Sequence, residues 1–251
     1  QPDLFTDPTE ADRFAGLWRS LSEQMHGWPN DMVAYELLNE AVANDPEDWN
    51  RVAHVAYSAL RHLEPERVIV LGSNEWNSAH AYDALRIPEG DPNLILTFHF
   101  YDPPLVTHYQ ASWTPFGAYT GPISYPGRMI PEERLPELRT LTQRLVAERG
   151  LSPEQIEERY RQLVRPYDRN TMVAAIQGPL AARRRTGLPL YCGEFGCYEK
   201  CPQPVRLAWY HDIMSVLKEY DIAWANWDYK GGFGIVTPDG QDTGIASVLL
   251  G

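Results

Sequence analysis

Basic residues are scarce in this chain: 22 lysines and arginines stand against 34 aspartates and glutamates, for a formal net charge of -12. That balance repels nucleic-acid phosphates and anionic membrane surfaces, so neither nucleic acid nor membrane is expected as a partner. No run of 18 apolar residues occurs, and no membrane span is predicted. The chain opens on Gln1 with no positively charged, apolar leader; no signal peptide is read in it, and this end is expected to derive from processing or design. Cysteine is sparse, at three residues. Cys192 is expected as a buried thiol on a strand, while Cys197 and Cys201 in the loop beyond leave a small disulfide open in an oxidising compartment. A Cys-x3-Cys pair alone does not make a metal site, and both clustered His/Asp ligand spacing and a phosphate-binding glycine loop are missing. No metal and no cofactor are therefore expected. Internal repeats and dividing linkers are missing too, which leaves a single domain over 1–251.

What the chain does have is core material and a surplus of aromatic rings. A 43% hydrophobic content over 251 residues supports a sizeable core. Eight tryptophans and 14 tyrosines exceed what such a core needs, and exposed rings suit the flat apolar faces of sugars, although any single one serves equally as core filler.

The pattern along the chain alternates helix and strand. Asp7-Pro8-Thr9 opens a helix to about Met25, with Phe14, Leu17, Trp18 and Leu21 as its buried stripe. A strand from Val33 ends in Asn39-Glu40. Asp45-Pro46 starts a second helix to about Leu63, with Trp49, Val52, Val55, Ala56 and Leu60 inward. Arg67 to Gly72 is a continuous apolar run, as in a strand buried on both faces. A loop holding Asn74, Glu75, Trp76 and Asn77 leads to a short helix near His80 to Leu85, and Leu94 to Tyr101 is the next strand. An insertion at about 102–169 follows: an ordered loop rich in proline and aromatics to about Arg128, then two charged helices over 131–164 with a break near Gly150 to Pro153. A helix from Asn170 to Arg185 ends at Gly187. The strand Leu190 to Gly196, a helix from Pro204 to Tyr220 and a strand from Ile222 to Tyr229 complete the pattern. Five strands alternating with helices predict an α/β fold, a parallel sheet with helices outside.

Two of these strands end in a glutamate. Parallel strands with helical crossovers bring their C-terminal ends to one face, so Glu40 and Glu194 are expected to converge as a paired-carboxylate site. Glycoside hydrolysis needs such a pair, one acid to protonate the leaving oxygen and one carboxylate to attack or to activate water. Other strand ends also carry polar or aromatic groups, among them His99, Tyr101 and Trp227.

Leu38-Asn39-Glu40, His99-Phe100-Tyr101, Gly193-Glu194-Phe195-Gly196, and Trp227 followed by Phe233-Gly234-Ile235 resemble, in order and spacing, the strand motifs of family 5 glycoside hydrolases, the cellulase and endoglucanase family. The resemblance covers nearly the whole chain except about 131–165. It implies a (β/α)8 barrel enzyme, secreted or extracytoplasmic, that cleaves a β-linked polysaccharide such as cellulose by retaining double displacement, with the two carboxyls about 5 to 5.5 Å apart. It further implies Glu40 as acid/base and Glu194 as nucleophile. Asn39 would hold the sugar 2-hydroxyl, and Tyr101 would hydrogen-bond Glu194 and help keep it ionised. His99 would orient this network or contact substrate, Trp227 would form the sugar platform, and Trp76 and Trp113 would serve outer subsites. Glucan, mannan and xyloglucan are not told apart.

The acid/base of that family ends the fourth barrel strand, whereas here it is residue 40. The five strands therefore match strands four to eight of a partial TIM barrel, about 90 residues short at roughly 30 per strand-helix unit. Open sheet edges expose unpaired backbone, and three expectations follow: a piece of a longer product, a chain complemented by a second one, or a homo-oligomer. The alternative reading of function is a truncated barrel that binds glycan or self-associates without efficient turnover.

Overall fold

The computed structural model describes residues 2–147 and 152–251. Its five strands, β1 (Tyr35–Glu36), β2 (Ile69–Gly72), β3 (Leu94–Phe100), β4 (Leu190–Phe195) and β5 (Ala223–Asn226), lie in the sheet in chain order. β1 runs parallel to β2 with Tyr35 opposite Ile69, and β2 runs parallel to β3 with Ile69 opposite Leu94. The Leu96 N–H donates to the Pro189 carbonyl at 3.0 Å, and the Trp227 N–H donates to the Phe195 carbonyl at 2.8 Å. β2 is buried throughout and β3 at every residue but Ile95, as parallel strands covered on both faces require.

These are the predicted strands, shortened. The shortening is greatest at β1, where Val33 to Asn39 was expected and two residues pair. β1 stands first in the strand order and pairs with β2 alone among the described residues. Its last ladder bond runs from the Leu37 N–H to the Val70 carbonyl at 3.3 Å. Beyond it the chain leaves the sheet, and Glu40 takes a left-handed φ of 53°.

By internal packing the chain forms two compact units, residues 1–99 with 175–193, and residues 100–174 with 194–251. In the first, helices Pro8–Met25 and Pro46–Leu63 pack together. Each begins with an aspartate N-cap followed by proline: Asp7 accepts from the Thr9 N–H and Asp45 from the Glu47 N–H, which satisfies orphan donors of the first turn. The 46–63 helix buries Trp49, Val52, Ala56 and Leu60 as its periodicity predicts, while Val55, also expected inward, is half-buried. The 8–25 helix does not follow the predicted stripe. It buries Ala11, Ala15 and Ser22, while Leu17 is 65% and Leu21 46% exposed. Small residues let the two helices approach closely, and Trp18 is drawn instead to the Tyr35 ring, 5.5 Å away, and to the Leu37 carbonyl. The leucines are left on the outer side.

In the second unit, helix Gln203–Glu219 buries Trp209, Tyr210, Ile213, Val216 and Leu217 and packs against a terminal helix Ile245–Leu250 that the sequence pattern did not predict. Trp209 stacks on Phe100 and donates to the Asp102 carbonyl at 2.8 Å. The insertion begins irregularly, with short turns at Pro104–Thr107 and Pro115–Ala118, and ends in helices Leu135–Ala147 and Pro153–Val164 that pack together. The predicted break between them falls mostly outside the described residues. The helix expected over 170–185 is two, Arg169–Ala175 and Gln177–Thr186, the second closed by left-handed Gly187. Cys192, Cys197 and Cys201 are all buried and outside any disulfide, so the bond left open between the last two is not formed. No described helix is long and apolar enough to cross a membrane.

A buried ionic cluster fastens β1. The Arg67 side chain, 2% exposed, contacts Glu64 at 2.7 Å, donates to the Val33 and Trp28 carbonyls at 2.9 Å, and lies over the Tyr35 ring. Glu64 also accepts from Ser22 and from the Tyr35 hydroxyl. Burial opposes the Glu64 charge, but bonds from Ser22, Arg67 and Tyr35 outweigh it and hold its carboxyl below the usual value. Tyr35, desolvated and donating to Glu64, is pushed up to about 12. The depressed carboxyl contributes stability above its unfolded value of about 4.3, lost as pH falls through the lower folded value. The raised phenol contributes below its unfolded value of about 10, lost as pH climbs toward the folded one. Glu64→Gln is expected to cost about 3 kcal/mol at pH 7, where it leaves Arg67 buried and unpaired. That deficit shrinks between pH 5 and pH 3 in denaturant titrations; a deficit constant across this window would contradict the assignment.

Candidate active site

In the first unit the ends of three strands supply polar groups that meet one another. β1 leads through exposed Asn39 to Glu40, which is partly exposed. β3 supplies His99, 6% exposed, whose Nδ1 lies 2.9 Å from the Glu40 Oε1. After β2 comes the segment Asn74–Asn77, in which Glu75, Trp76 and Asn77 all have left-handed φ, 56°, 61° and 56°. Three consecutive non-glycine residues in that region are costly, and such strain is kept where the surroundings over-determine it. Here the surroundings are the Glu40 segment and β3. The Trp76 N–H donates to the Ala41 carbonyl at 3.1 Å. The Asn74 side chain accepts from the Ala43 N–H and donates to the Ala43 carbonyl, both at 2.8 Å. Asn77, fully buried, reaches His99 and Glu36.

Gly72, the last residue of β2, makes room for this: a Cβ there would lie 2.3 Å from the Asn77 Oδ1. Trp76, on the same turn, is 58% exposed.

In the second unit Tyr101, just past β3, donates its hydroxyl to the Glu194 Oε2 at 2.9 Å. Tyr101 is held in an aromatic cluster, edge-on to His108 at 5.1 Å and to Phe233 at 5.8 Å. Trp113, 59% exposed, lies 4.9 Å from Tyr198 and 6.3 Å from Phe233. The glycine of Phe195-Gly196 is required by packing, since a Cβ at 196 would sit 2.3 Å from the Trp227 carbonyl and 3.0 Å from Phe233. Trp227 follows β5 and is 48% exposed.

The structure thus joins Glu40 with His99, and Glu194 with Tyr101. Asn39, Trp76, Trp113 and Trp227 are all exposed. Sequence reasoning did not single out Asn77, Glu36, His108 or Tyr198. The one available signal was Asn74 and Asn77 directly after a buried strand, because asparagine tolerates left-handed backbone. Surface cavities of about 370 Å³, under the 46–63 helix, and about 440 Å³, beside Cys201 and Arg206, include none of these residues.

Known proteins agree with this arrangement of elements. The family profile described as Cellulase (glycosyl hydrolase family 5) matches residues 4–232. Endoglucanase C of Acetivibrio thermocellus is 31% identical over 90% of the chain, and the chain spans 62% of that relative's length. Among solved structures, one titled endoglucanase superposes with a TM-score of 0.72 at 20% identity, over 99% of this chain and 69% of its own. Thermotoga maritima Cel5A, solved with cellobiose, superposes at 0.69 with 23% identity, over 99% and 68%. The fold is therefore the one predicted, five parallel strands with outer helices as in part of a (β/α)8 barrel. With its profile matched across most of its length, the chain belongs to the cellulase family, glycosyl hydrolase family 5.

Proposed function

We propose that this chain carries the catalytic residues of a retaining endo-β-1,4-glucanase. The observation that carries the reading is that each strand-end glutamate has a hydrogen-bond partner while remaining partly open to solvent: the His99 Nδ1 beside Glu40 and the Tyr101 hydroxyl on Glu194, both at 2.9 Å. A phenol O–H donating to a carboxylate favours its ionised form, which suits Glu194 as nucleophile. In the first step a Glu194 oxygen attacks the anomeric carbon and forms a glycosyl ester. The bond from that carbon to the leaving oxygen breaks, and the leaving oxygen takes the Glu40 proton. In the second step Glu40 removes a proton from water, the water oxygen bonds the anomeric carbon, and Glu194 leaves as carboxylate. Asn39 would hold the 2-hydroxyl, Trp227 would underlie the sugar at the scissile bond, and Trp76 and Trp113 would contact outer sugar units.

The substrate class rests on the relatives' names, endoglucanase and Cellodextrinase, and on the Thermotoga maritima enzyme solved with cellobiose and with mannotriose. A polymeric glucan is met outside the cytoplasm, which supports a secreted place of action. A second reading, a glycan-binding or self-associating chain of low turnover, is favoured by the exposed Leu17, Leu21, Trp28 and Met32. These precede the end strand β1 and offer apolar surface to a second copy or a complementing chain.

Glu40→Gln and Glu194→Gln are each expected to lower reducing-sugar release from carboxymethyl cellulose by about 10³-fold or to background; wild-type rates in either variant would remove that residue from the chemistry. Tyr101→Phe deletes one hydrogen bond to a charged group, worth about 1.5–3 kcal/mol. It should cut kcat about 10- to 100-fold with KM little changed, and an unchanged kcat would free Tyr101 from its assigned role.

A further inference from the structure

We propose that Asn77 is a positioning residue that sets the tautomer of His99 and so decides which oxygen of Glu40 carries the acid proton. The proposal rests on the assignment of Glu40 as acid/base and adds the part that the turn after β2 plays in it. The Asn77 Nδ2 lies 3.4 Å from the Glu36 Oε1 and 3.3 Å from the His99 Nε2. A carboxylate only accepts, so Glu36 fixes the amide with its NH2 toward both partners. The His99 Nε2 is then the accepting, unprotonated nitrogen, and the ring proton sits on Nδ1, directed at the Glu40 Oε1.

That bond occupies Oε1 in both protonation states of Glu40. The acid proton is left to Oε2. With the opposite tautomer Nδ1 would be an acceptor, and it would draw the carboxyl proton onto Oε1, where it cannot reach the glycosidic oxygen.

The orientation carries a cost: the Asn77 Oδ1 is buried with no hydrogen-bond partner among the described residues. A side chain serving only to fill space would not retain that cost. The same turn grips the Glu40 segment from the other side through Trp76 on Ala41 and Asn74 on Ala43, so one structure sets both the backbone and the hydrogen-bond partner of the acid.

The test uses the whole chain labelled with ¹⁵N. In long-range ¹H–¹⁵N spectra at neutral pH, His99 is expected as the Nδ1–H tautomer, with Nε2 at the shift of an unprotonated ring nitrogen. A wild-type Nε2–H tautomer would overturn the proposal whether or not the chain hydrolyses glucan. Asn77→Gly, which keeps the left-handed backbone, should give mixed tautomers, and Asn77→Asp, whose side chain only accepts, should give Nε2–H; a wild-type spectrum in both would also overturn it. In the kinetic arm, Asn77→Gly lowers kcat/KM on a cellooligosaccharide by about 10- to 100-fold, within the range of lost general-acid catalysis. On 2,4-dinitrophenyl cellobioside, whose leaving group needs no proton, kcat/KM falls by less than about 3-fold, a small fraction of that general-acid contribution. Equal losses on the two substrates would mean a structural role only.

Discussion

Polar side chains at or near the ends of strands buried on both faces must find partners away from water, and that desolvation constraint shapes this chain. β2 and β3 are covered along nearly all their length. The polar groups they deliver, Asn77 just beyond one and His99 within the other, turn to neighbouring side chains rather than to water. The hydrogen bonds that result are the ones a paired-carboxylate reaction would use. His99 turns to Glu40, Asn77 turns to His99, and Tyr101 turns to Glu194.

The constraint also accounts for the strain. A left-handed run of three residues after β2 is poor backbone, yet it lets one short segment bond Ala41, Ala43, Glu36 and His99. Gly72 permits it by lacking a side chain where the Asn77 amide must lie. The cluster of Arg67, Glu64, Ser22 and Tyr35 applies the same logic at the opposite end of β1, where a buried guanidinium is shared among a carboxylate and backbone carbonyls. A two-residue strand that pairs on one side among the described residues is thereby fastened at both of its ends.

Much of the fold was legible because its signals are local. Asp7-Pro8 and Asp45-Pro46 start helices by a mechanism contained in two or three residues, and the apolar run Val68 to Leu71 leaves little alternative to a buried parallel strand. Leu17 and Leu21 lie exposed rather than in the predicted stripe, because helical spacing identifies an apolar side without saying which side meets a neighbour. The small residues Ala11 and Ala15 decided that, by allowing close helix approach. Strand ends were overextended because pairing stops where a neighbouring strand stops, which is tertiary information. Glu40, Glu194, His99 and Tyr101 were readable as residues that a buried strand has reason to carry only at its end. Asn77 was not, since its importance lies in the direction of an amide fixed by Glu36, a residue 41 positions away.

The central claim is that Glu194 forms a covalent bond to the sugar while Glu40 handles the proton. Its most direct test is incubation of the chain with 2-deoxy-2-fluoro-β-cellobiosyl fluoride, whose good leaving group loads the enzyme and whose fluorine slows release of the ester. Mass spectrometry of the intact chain and of its peptides should show one added 2-fluorocellobiosyl group, on the peptide that contains Glu194. An adduct on any other residue, or an unchanged mass in a chain that hydrolyses glucan, would contradict the account.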